Sequence, residues 1–423
     1  MASLSNNILV LNAGSSSLKY QLFRGKSPIA AGNVTEIGGK TLYKMALPEK
    51  RKWDCIARDH TEALSHIVGA IEAFDINPGN LTGIGHRVVH GGSKFTSSVL
   101  IDKQVEDAIG KLTSLAPLHN PPNLMGIRAA KSLFPGVAQV AVFDTAFHQT
   151  MPETSYTYGL PLDFREALDV RRYGFHGTSH LYVSRVAAVM MGAAIADINL
   201  VTLHLGNGSS LCAVKGGRSV DTTMGLTPNE GPLMGTRSGS LDSGTFKYLL
   251  DSIPDLTADG LEEILNKRSG LLGLSGYSSD RVAIDELAEK ENPDERCVLA
   301  REVEAHMIRK SLGSMMASLG RVDGLVFTAG AGENNHGTRS RSLEGLAQKP
   351  FGILLDEEAN RNAFGPKAPI LISQQASSLP VWVIPTNEEL VIALDTLAIT
   401  EGTYETCEDF VYPFQLPSYW GRQ

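Results

Sequence analysis

The sequence predicts an α/β protein with two domains built on the same plan. Strand and helix patterns alternate through most of the 423 residues, as is typical of α/β folds. At roughly 100–200 residues per domain, this length suggests two or three domains. A glycine- and serine-rich turn near the N-terminus recurs with its flanking strands 192 residues later, which indicates a duplicated unit.

The first predicted elements are two strands joined by that turn. Residues 8–12 are apolar, residues 18–24 alternate apolar and polar side chains, and Ala-Gly-Ser-Ser-Ser lies between them. Such a period of two is the pattern of a strand. Apolar positions over 63–74 then repeat with helical spacing, and further strands are predicted over 85–90 and 137–144.

The second copy of the turn lies in Leu203–Leu211, which matches Leu11–Leu18 with one inserted residue. In both copies an apolar strand enters a turn of small residues and another leaves it. Backbone N–H groups in such turns can approach phosphate oxygens closely, and the hydroxyls of Ser15–Ser17 add donors. Two hairpins of this kind predict a clamp for a nucleotide, although glycine-rich hairpins are common enough for the repeat to be a coincidence.

A third strand that ends in glycines covers residues 325–334, and a Gly- and Pro-rich stretch over 150–161 predicts a hinge. We expect a first domain over 1–150 that is completed by 386–423. The second domain, over 151–385, is expected to bind the nucleotide.

Two apolar segments and an aromatic tail stand out. The N-terminal run over 8–11 is too short for a signal peptide, and the run over 186–196 is far shorter than a membrane span. The second run therefore predicts a buried helix, and no membrane partner is expected. The tail from Glu401 holds 6 of the 28 aromatic residues, a bias that predicts a strap on the protein surface.

Charge and cysteine content narrow the functional class. The net charge of −8 argues against a nucleic-acid partner, because such partners require a basic footprint. The cysteines are Cys55, Cys212, Cys297 and Cys407. Their wide spacing rules out a zinc knuckle and a CxxC redox pair, and free thiols predict a reducing, cytoplasmic environment.

Other nucleotide-binding and hydrolytic motifs do not occur. The nearest Gly-Lys-Ser, at 25–27, has Tyr20 where a P-loop requires its first glycine. Gly206-Asn207-Gly208 is not followed by a third glycine at the dinucleotide-binding spacing. HExxH zinc motifs and GxSxG nucleophile elbows are also absent from the sequence.

Four segments concentrate polar groups among apolar neighbours, over 85–92, 143–148, 173–180 and 231–239. Taken singly, each has a structural explanation: an arginine stem at the surface, a satisfied histidine in the core or a carboxylate that caps a turn. Their coincidence with two phosphate-binding hairpins favours a single active site.

Nine motifs, in this order, resemble the acetate kinase family. They are LNAGSSSLKY, GHRVVHGG, APLHNPPN, VFDTAFH, YGFHGTSH, HLGNGSSL, GPLMGTRSG, TAGAGEN and IPTNEEL. The resemblance runs from about residue 7 to about residue 398. It implies two duplicated α/β domains of the acetate and sugar kinase/Hsp70/actin type with ATP in the cleft between them. It also implies reversible transfer of the γ-phosphoryl group of ATP to acetate, with propionate as the alternative acceptor, and a homodimer.

The resemblance assigns catalytic roles to four residues. Arg87 and Arg237 would hold the acceptor carboxylate and the transferring phosphoryl oxygens, and His176 would donate to those oxygens. A carboxylate with a pKa of about 4 is already ionised at pH 7, so Asp144 is expected to orient an arginine or the metal rather than to accept a proton. Direct in-line transfer is expected, with a phosphorylated glutamate as the alternative.

The resemblance also assigns binding residues. Asn12 and Glu388 would serve Mg²⁺, with Mn²⁺ as an alternative ion, although Glu388 also fits the start of a capped helix. The residues expected along the nucleotide are Lys19, His204, Leu205, Gly206, Asn207, Gly208, Asp280, Arg281, Val282, Gly330, Ala331, Gly332, Glu333 and Asn334. The residues expected around the acyl group are Arg87, Val89, Leu118, Phe175 and Pro228.

Two positions depart from the family pattern. Arg281 stands one place earlier than the family's arginine, which leaves stacking on adenine in doubt, and Ser240 replaces an aspartate near Arg237. Two other functions share the fold. A sugar kinase would use Asp144 as a general base, and an actin-like switch would need no clamp for a carboxylate.

Overall fold

The computed structural model describes residues 6–72, 76 and 78–421, and within them it contains two mixed β-sheets. The first sheet has the strand order β5-β4-β3-β2-β1-β6-β8-β7. Its strands are β1 (Asn7–Gly14), β2 (Ser17–Arg24), β3 (Ser27–Thr35), β4 (Leu42–Leu47), β5 (Arg51–Asp54), β6 (Gly83–Val88), β7 (Val99–Leu100) and β8 (Gln139–Phe143). The second sheet has the order β11-β10-β9-β12-β14-β13. Its strands are β9 (Asn199–Leu205), β10 (Ser209–Lys215), β11 (Arg218–Thr222), β12 (Gly324–Thr328), β13 (Ile370–Leu371) and β14 (Val381–Val383).

The two sheets share a topology. In the first, β1 pairs antiparallel with β2 and parallel with β6, which pairs parallel with β8. In the second, β9 pairs antiparallel with β10 and parallel with β12, which pairs parallel with β14. The predicted α/β class and the duplication are therefore confirmed.

Helices pack against both sheets. In chain order they are α1 (His60–Glu72), α2 (Lys103–Lys111), α3 (Asn120–Leu133), α4 (Glu153–Tyr156), α5 (Leu162–Leu168), α6 (Gly177–Met190), α7 (Gly244–Ser252), α8 (Ala258–Lys267), α9 (Gly270–Ser275), α10 (Arg281–Ala288), α11 (Glu295–Leu319), α12 (Ala329–Asn334), α13 (His336–Leu343), α14 (Glu357–Asn362) and α15 (Glu388–Glu401). None of those in the described part of the chain has the length and apolar character needed to cross a bilayer.

Two predicted helices differ in extent from the observed ones. The pattern over 63–74 corresponds to α1, and Phe74 lies outside the described residues. The helix predicted over 186–196 is wrong beyond residue 190, because α6 ends at Met190 and Gly192 takes a left-handed φ of +65°. Glycine adopts that conformation without strain and commonly ends helices. The true start of α6 is nine residues earlier than the apolar run suggests, at Gly177.

The chain forms two compact units. The first comprises Met1–Gln149 and Asn387–Tyr412, and the second comprises Thr150–Thr386 and Pro413–Gln423. The prediction placed the whole tail in the first domain, whereas its last segment packs within the second unit. The physical reason is an aromatic contact, because the fully buried ring of Phe414 lies 4.6 Å from the ring of Tyr182 on α6.

Glycines bring helices close to the first sheet. A β-carbon added at Gly85 on β6 would lie 2.4 Å from Oγ1 of Thr396 on α15, and one at Gly126 on α3 would lie 2.8 Å from the β-carbon of Ala13. Neither distance leaves room for a side chain. The small residues therefore allow α15 and α3 to pack directly on the strands that carry the candidate site.

The core of the second unit is formed by β9 and β12 with the long helix α11. Leu203 and Phe327 on the strands and Leu312 on the helix are all fully buried. At roughly 1.5–3 kcal/mol per buried large apolar side chain, such contacts hold the β9–β10 hairpin in place.

Candidate active site

The first hairpin presents a polar edge in unit one. Gly14 pairs with Ser17, so the exposed two-residue turn is Ser15–Ser16, and Asn12 pairs across the strands with Lys19. Asn12, Lys19 and Glu389 line one cavity of about 400 Å³. The structure thus brings together an amide, an ammonium group and a carboxylate beside the turn.

Two asparagines of α3 support this hairpin and the loop after β6. Asn123 accepts a hydrogen bond from Val89 N (3.1 Å) and donates to Ala13 O (2.9 Å), while Asn120 bonds both backbone groups of His90. Both asparagines are buried. Neither asparagine is among the site residues predicted from the sequence, although both lie in the motif APLHNPPN and their polarity on an otherwise apolar helix face is a signal of a role.

Arg87 and Asp144 form a bidentate ion pair in unit one. Nε and Nη2 of Arg87 donate to the two carboxylate oxygens at 2.9 and 2.7 Å, and the Asp144 side chain is 1% exposed. Burial alone would lower the pKa of Arg87, but the charge and hydrogen bonds of Asp144, followed by the charges of Glu388 and Glu389, raise it above its usual value. Arg87 is therefore a permanent, oriented cation.

The start of α15 supplies oxygen donors to the same unit. Asn387 caps the helix through a hydrogen bond from Leu390 N (3.1 Å), as the capped-helix interpretation of this segment expected. Burial, and then the charge of Glu388, raise the pKa of Glu389. The carboxylates of Glu388 and Glu389 and the amide oxygen of Asn12 are the ligand types that a hard divalent cation prefers, and of these three residues Asn12 and Glu389 line the same cavity. Among the described residues no cluster of three or more His, Cys, Asp or Glu side chains forms a metal site by itself.

The second hairpin carries the glycine turn of unit two. Leu205 pairs with Ser209, leaving Gly206–Gly208 as a three-residue turn, one residue longer than the first turn. Gly206 N donates to Gly208 O (2.9 Å), and Gly235 N donates to Asn207 O (3.1 Å). These bonds fix the backbone of the turn.

Arg281 lies beneath this turn. Its Nη1 donates to Gly206 O (2.7 Å), and its Nε donates to Glu304 (2.8 Å), whose side chain is 3% exposed. The neighbours of Arg281 have separate positions: Asp280 caps α10 through Val282 N, and the Val282 side chain is 58% exposed. Arg281 therefore links the backbone of the hairpin turn to the buried carboxylate of Glu304 and supports the turn from below.

His176 occupies a strained position at the start of α6. Its φ is +57°, a left-handed conformation that costs a non-glycine residue on the order of 1 kcal/mol or more. The ring stacks on that of His204 with centroids 3.9 Å apart, and Nδ1 lies 2.8 Å from Oγ of Ser210. His204 in turn contacts Ser179 at 2.8 Å. These contacts hold the imidazole of His176 in place.

Arg237 and His176 meet over Gly208. A β-carbon added there would lie 3.3 Å from Nη1 of Arg237 and 3.4 Å from Nε2 of His176. Arg237 is anchored through a hydrogen bond from Nη1 to Pro228 O (3.1 Å). Two potential cationic donors therefore flank a turn whose small residues leave backbone groups accessible, an arrangement suited to phosphate oxygens.

The glycine segment after β12 lies beside the same turn. A β-carbon at Gly330 would lie 3.9 Å from Cα of Gly206. The carboxylate of Glu333 accepts from Ala329 N (2.9 Å) and Thr386 N (3.0 Å), so it organises backbone. The structure thus places part of the predicted nucleotide segment, Gly330 above all, next to the hairpin.

The predicted acyl residues are divided between the two units. Val89 is half-buried and Leu118 is 43% exposed in unit one, whereas in unit two Phe175 is 1% exposed and Pro228 is half-buried. Phe175 is therefore a core ring of its unit. Besides Asn120 and Asn123, three further residues near the site are not among those predicted from the sequence: Glu389, Ser210 and His180.

The chain is similar to known proteins along most of its length. The profile of the acetokinase family matches residues 7–394. Acetate kinase of Geobacter metallireducens is 46% identical over 96% of this chain and 98% of that protein. The crystal structure of Porphyromonas gingivalis acetate kinase has a TM-score of 0.86 at 41% identity and covers 93% of this chain and 100% of its own. A propionate kinase from Francisella tularensis also has a TM-score of 0.86, at 38% identity, covering 92% of this chain and 99% of its own. A family match across more than nine-tenths of the sequence, with relatives of this identity and coverage, leads to one conclusion: the chain belongs to the acetokinase family.

Proposed function

We propose that this chain transfers the γ-phosphoryl group of ATP to acetate, reversibly, giving acetyl phosphate and ADP. The family is one of phosphotransferases with a carboxyl acceptor and uses ATP with Mg²⁺. The observation that supports the acceptor best is the Arg87–Asp144 pair, because both oxygens of Asp144 are occupied by Arg87. A carboxylate held in this way orients a cation and is a poor general base.

The choice of acceptor follows from that chemistry. A sugar hydroxyl must lose its proton during transfer and requires a base, whereas acetate, with a pKa of about 4, arrives ionised. The difficulty is instead the repulsion between an anion and a triphosphate. Arg87 is suited to hold the acetate carboxylate, since guanidinium binds carboxylates in a planar, bidentate manner.

Arg237 and His176 are suited to the transferring group. Negative charge is spread over the equatorial oxygens of the phosphoryl group in the transition state, and a well-placed arginine there is worth roughly 10³–10⁵ in rate. The anchoring of Arg237 on Pro228 O and the stacking of His176 on His204 keep both donors oriented before the reaction.

Asn12 and Glu388, with Glu389 beside them, are the residues we assign to Mg²⁺. When bound, the ion neutralises charge on the β- and γ-phosphate oxygens. The oxygen donors at this end of α15 and the raised pKa of Glu389 support the assignment, because a cation would offset both burial and the mutual repulsion of the two acids.

The nucleotide is assigned to the second hairpin and the segments beside it. Backbone groups of Gly206–Gly208 and the side chain of Lys19 would follow the phosphates. Gly330 would leave room for the nucleoside, and exposed Val282 offers an apolar surface to the base. Arg281 is better suited to supporting the hairpin than to contacting adenine, since Gly206 O and Glu304 already use its donors.

Propionate is the second candidate acceptor. The structure named a propionate kinase is as similar in fold as the acetate kinase structure. A pocket of small apolar groups discriminates one methylene by only about 1–3 kcal/mol. We assign Val89, Leu118, Phe175 and Pro228 to this pocket, and acetate is the acceptor that we propose ahead of propionate.

A cytoplasmic location and a homodimer remain predictions. The four free thiols support the cytoplasmic location.

A hydroxamate assay tests the function. The purified chain is incubated with ATP, Mg²⁺, hydroxylamine and formate, acetate, propionate or butyrate, and GTP and pyrophosphate replace ATP in parallel. Acetyl hydroxamate formed fastest from acetate and ATP is the expected result. An acid-stable product from a sugar would indicate a sugar kinase, and ATP hydrolysis independent of any carboxylate would indicate a nucleotide switch. Either outcome would overturn the proposal.

A further inference from the structure

A chain of hydrogen bonds in unit two runs from His176 into the core. Nδ1 of His176 lies 2.8 Å from Oγ of Ser210, and the same oxygen lies 2.8 Å from Nε2 of His180. Nδ1 of His180 lies 2.7 Å from Oγ1 of Thr202, which donates to Cys212 O at 3.5 Å. Ser210, His180 and Thr202 are all fully buried.

The donor and the acceptor of each bond can be assigned by starting from Thr202, at the end of the chain of bonds farthest from His176. The Thr202 hydroxyl donates its one proton to Cys212 O at 3.5 Å, and with the proton placed there its oxygen accepts from Nδ1–H of His180 at 2.7 Å. With its hydrogen on Nδ1, the neutral imidazole of His180 carries a lone pair on Nε2. That lone pair accepts the single proton of the Ser210 hydroxyl, and the Ser210 oxygen therefore accepts from Nδ1–H of His176.

We propose that Ser210 is a positioning residue that keeps a proton on Nδ1 of His176, so that Nε2 can donate to a phosphoryl oxygen only when the ring is doubly protonated. This inference rests on the proposed phosphoryl transfer. It follows because a neutral imidazole carries one N–H. The hydrogen-bond relay from Thr202 through His180 and Ser210 to His176 assigns that hydrogen to the nitrogen facing Ser210. Nε2, the nitrogen beside Gly208 and Arg237, is then the basic one.

The surroundings of His176 determine when the second proton arrives. Among the contacts described for His176, the titratable or charged side chains are His204, stacked at 3.9 Å, His180 through Ser210, and Arg237 across Gly208. The hydrogen bonds of His204 lead through Ser179 and Thr386 to the acid Glu333. Basic neighbours disfavour a charged ring, whereas phosphates favour it. His176 is therefore expected to take one proton from solvent when the triphosphate binds and to return it when the nucleotide leaves.

The tautomer can be observed directly. We would label the full chain with ¹⁵N-histidine, assign His176 by comparison with His176→Asn, and record nitrogen–hydrogen correlations at pH 8 without nucleotide. We expect the hydrogen of His176 on Nδ1 in the unsubstituted protein and a mixture of both tautomers in Ser210→Ala. A hydrogen on Nε2 in the unsubstituted protein would overturn the proposal.

The pH dependence of the rate provides the second test. The unsubstituted enzyme should lose activity about tenfold per pH unit on the alkaline side once His176 gives up its second proton. In Ser210→Ala the neutral ring can place its hydrogen on Nε2 and can still donate. The loss of activity per pH unit on the alkaline side should therefore be at least threefold smaller than in the unsubstituted enzyme. Thr202→Val, which removes the acceptor for His180, should change the profile in the same direction.

Ser184→Ala is the matched control, since Ser184 is a fully buried serine of α6 whose hydroxyl bonds Leu181 O. It should keep the profile of the unsubstituted enzyme. An unchanged profile in folded Ser210→Ala would refute the relay. Absence of acetyl hydroxamate from the unsubstituted chain would instead refute the proposed function. The tautomer measurement on the unsubstituted protein, assigned with His176→Asn, would still decide the relay even if Ser210→Ala and Thr202→Val do not fold.

Discussion

Arg87 donates hydrogen bonds to both carboxylate oxygens of Asp144, at 2.9 and 2.7 Å, and the Asp144 side chain is 1% exposed. This pairing gives the strand-end carboxylate the role of orienting a cation. Because both oxygens of Asp144 are occupied by Arg87, the carboxylate is a poor general base.

Asp144→Asn should lower kcat at least a hundredfold and raise the KM for acetate, because Arg87 loses the charge that orients it. Removing one partner of a buried pair also costs about 3–5 kcal/mol of stability, and the lower end is expected here since Arg87 is 23% exposed. Steady-state kinetics and urea unfolding measure the two effects. Glu106→Gln is the control: it breaks pairs with Arg128 and Lys131 elsewhere in unit one and should reduce stability while leaving kcat intact.

Arg237→Ala should lower turnover at least a hundredfold and change the ATP dissociation constant by less than about threefold. The physical reason is that charge on the transferring oxygens develops in the transition state, so its stabilisation affects kcat rather than ground-state binding. Turnover and nucleotide titration are measured on the same preparation. Comparable turnover in the variant would contradict the role assigned to Arg237.

Gly208→Ala should lower kcat at least tenfold with little change in stability. Its β-carbon would stand 3.3 Å from Nη1 of Arg237 and 3.4 Å from Nε2 of His176, and would displace both donors. Gly313→Ala on α11 serves as the control because nothing lies within 4 Å of its added β-carbon; it should be fully active and slightly more stable, as expected of alanine in a helix. Full activity of the Gly208 variant would show that neither donor is needed beside the turn.

Glu304→Gln should raise the KM for ATP in the same direction as Arg281→Ala. Glu304 holds Arg281, and Arg281 holds Gly206 O, so either change loosens the hairpin. If Arg281 instead contacted adenine directly, Arg281→Ala would reduce discrimination between ATP and GTP, and Glu304→Gln would have little effect. Kinetics with both nucleotides separate the two roles.

Asp395 predicts a pH dependence of stability. Burial raises its pKa from 3.8 to about 6, an effect that hydrogen bonds from Ser98, Tyr412 and Tyr404 only partly offset. A raised carboxyl pKa means that the folded protein holds a proton which the unfolded chain has released. The contribution of this group is therefore fully present below about pH 4 and is lost as the pH rises through about 6.

The two pKa values differ by about two units, each worth about 1.36 kcal/mol. Between pH 4 and pH 7 the unfolding free energy should thus fall about 2–3 kcal/mol more for the unsubstituted protein than for Asp395→Asn. Asp409→Asn, at an exposed aspartate of the tail, should behave like the unsubstituted protein. Equal pH slopes for the unsubstituted protein and Asp395→Asn would refute the assignment.

Local sequence patterns predicted much of the fold. The two hairpins, their small-residue turns, the duplicated order of strands and the capped start of α15 all follow from period-two patterns, turn residues and capping residues over a few positions. The end of α6 was misjudged because an apolar run reports burial, whereas the helix stops where the backbone turns left-handed at Gly192.

The sequence by itself determined the α/β class, the duplication, the placement of glycines at both turns and, through its motifs, the family. Only the tertiary structure decided that Arg87 binds Asp144, that Arg281 binds Glu304, and that Ser210 connects two histidines. The reason is physical. Backbone propensity and turn chemistry act between residues a few positions apart, whereas partners 23 to 57 positions apart meet only when sheet register and helix packing bring them within hydrogen-bond distance.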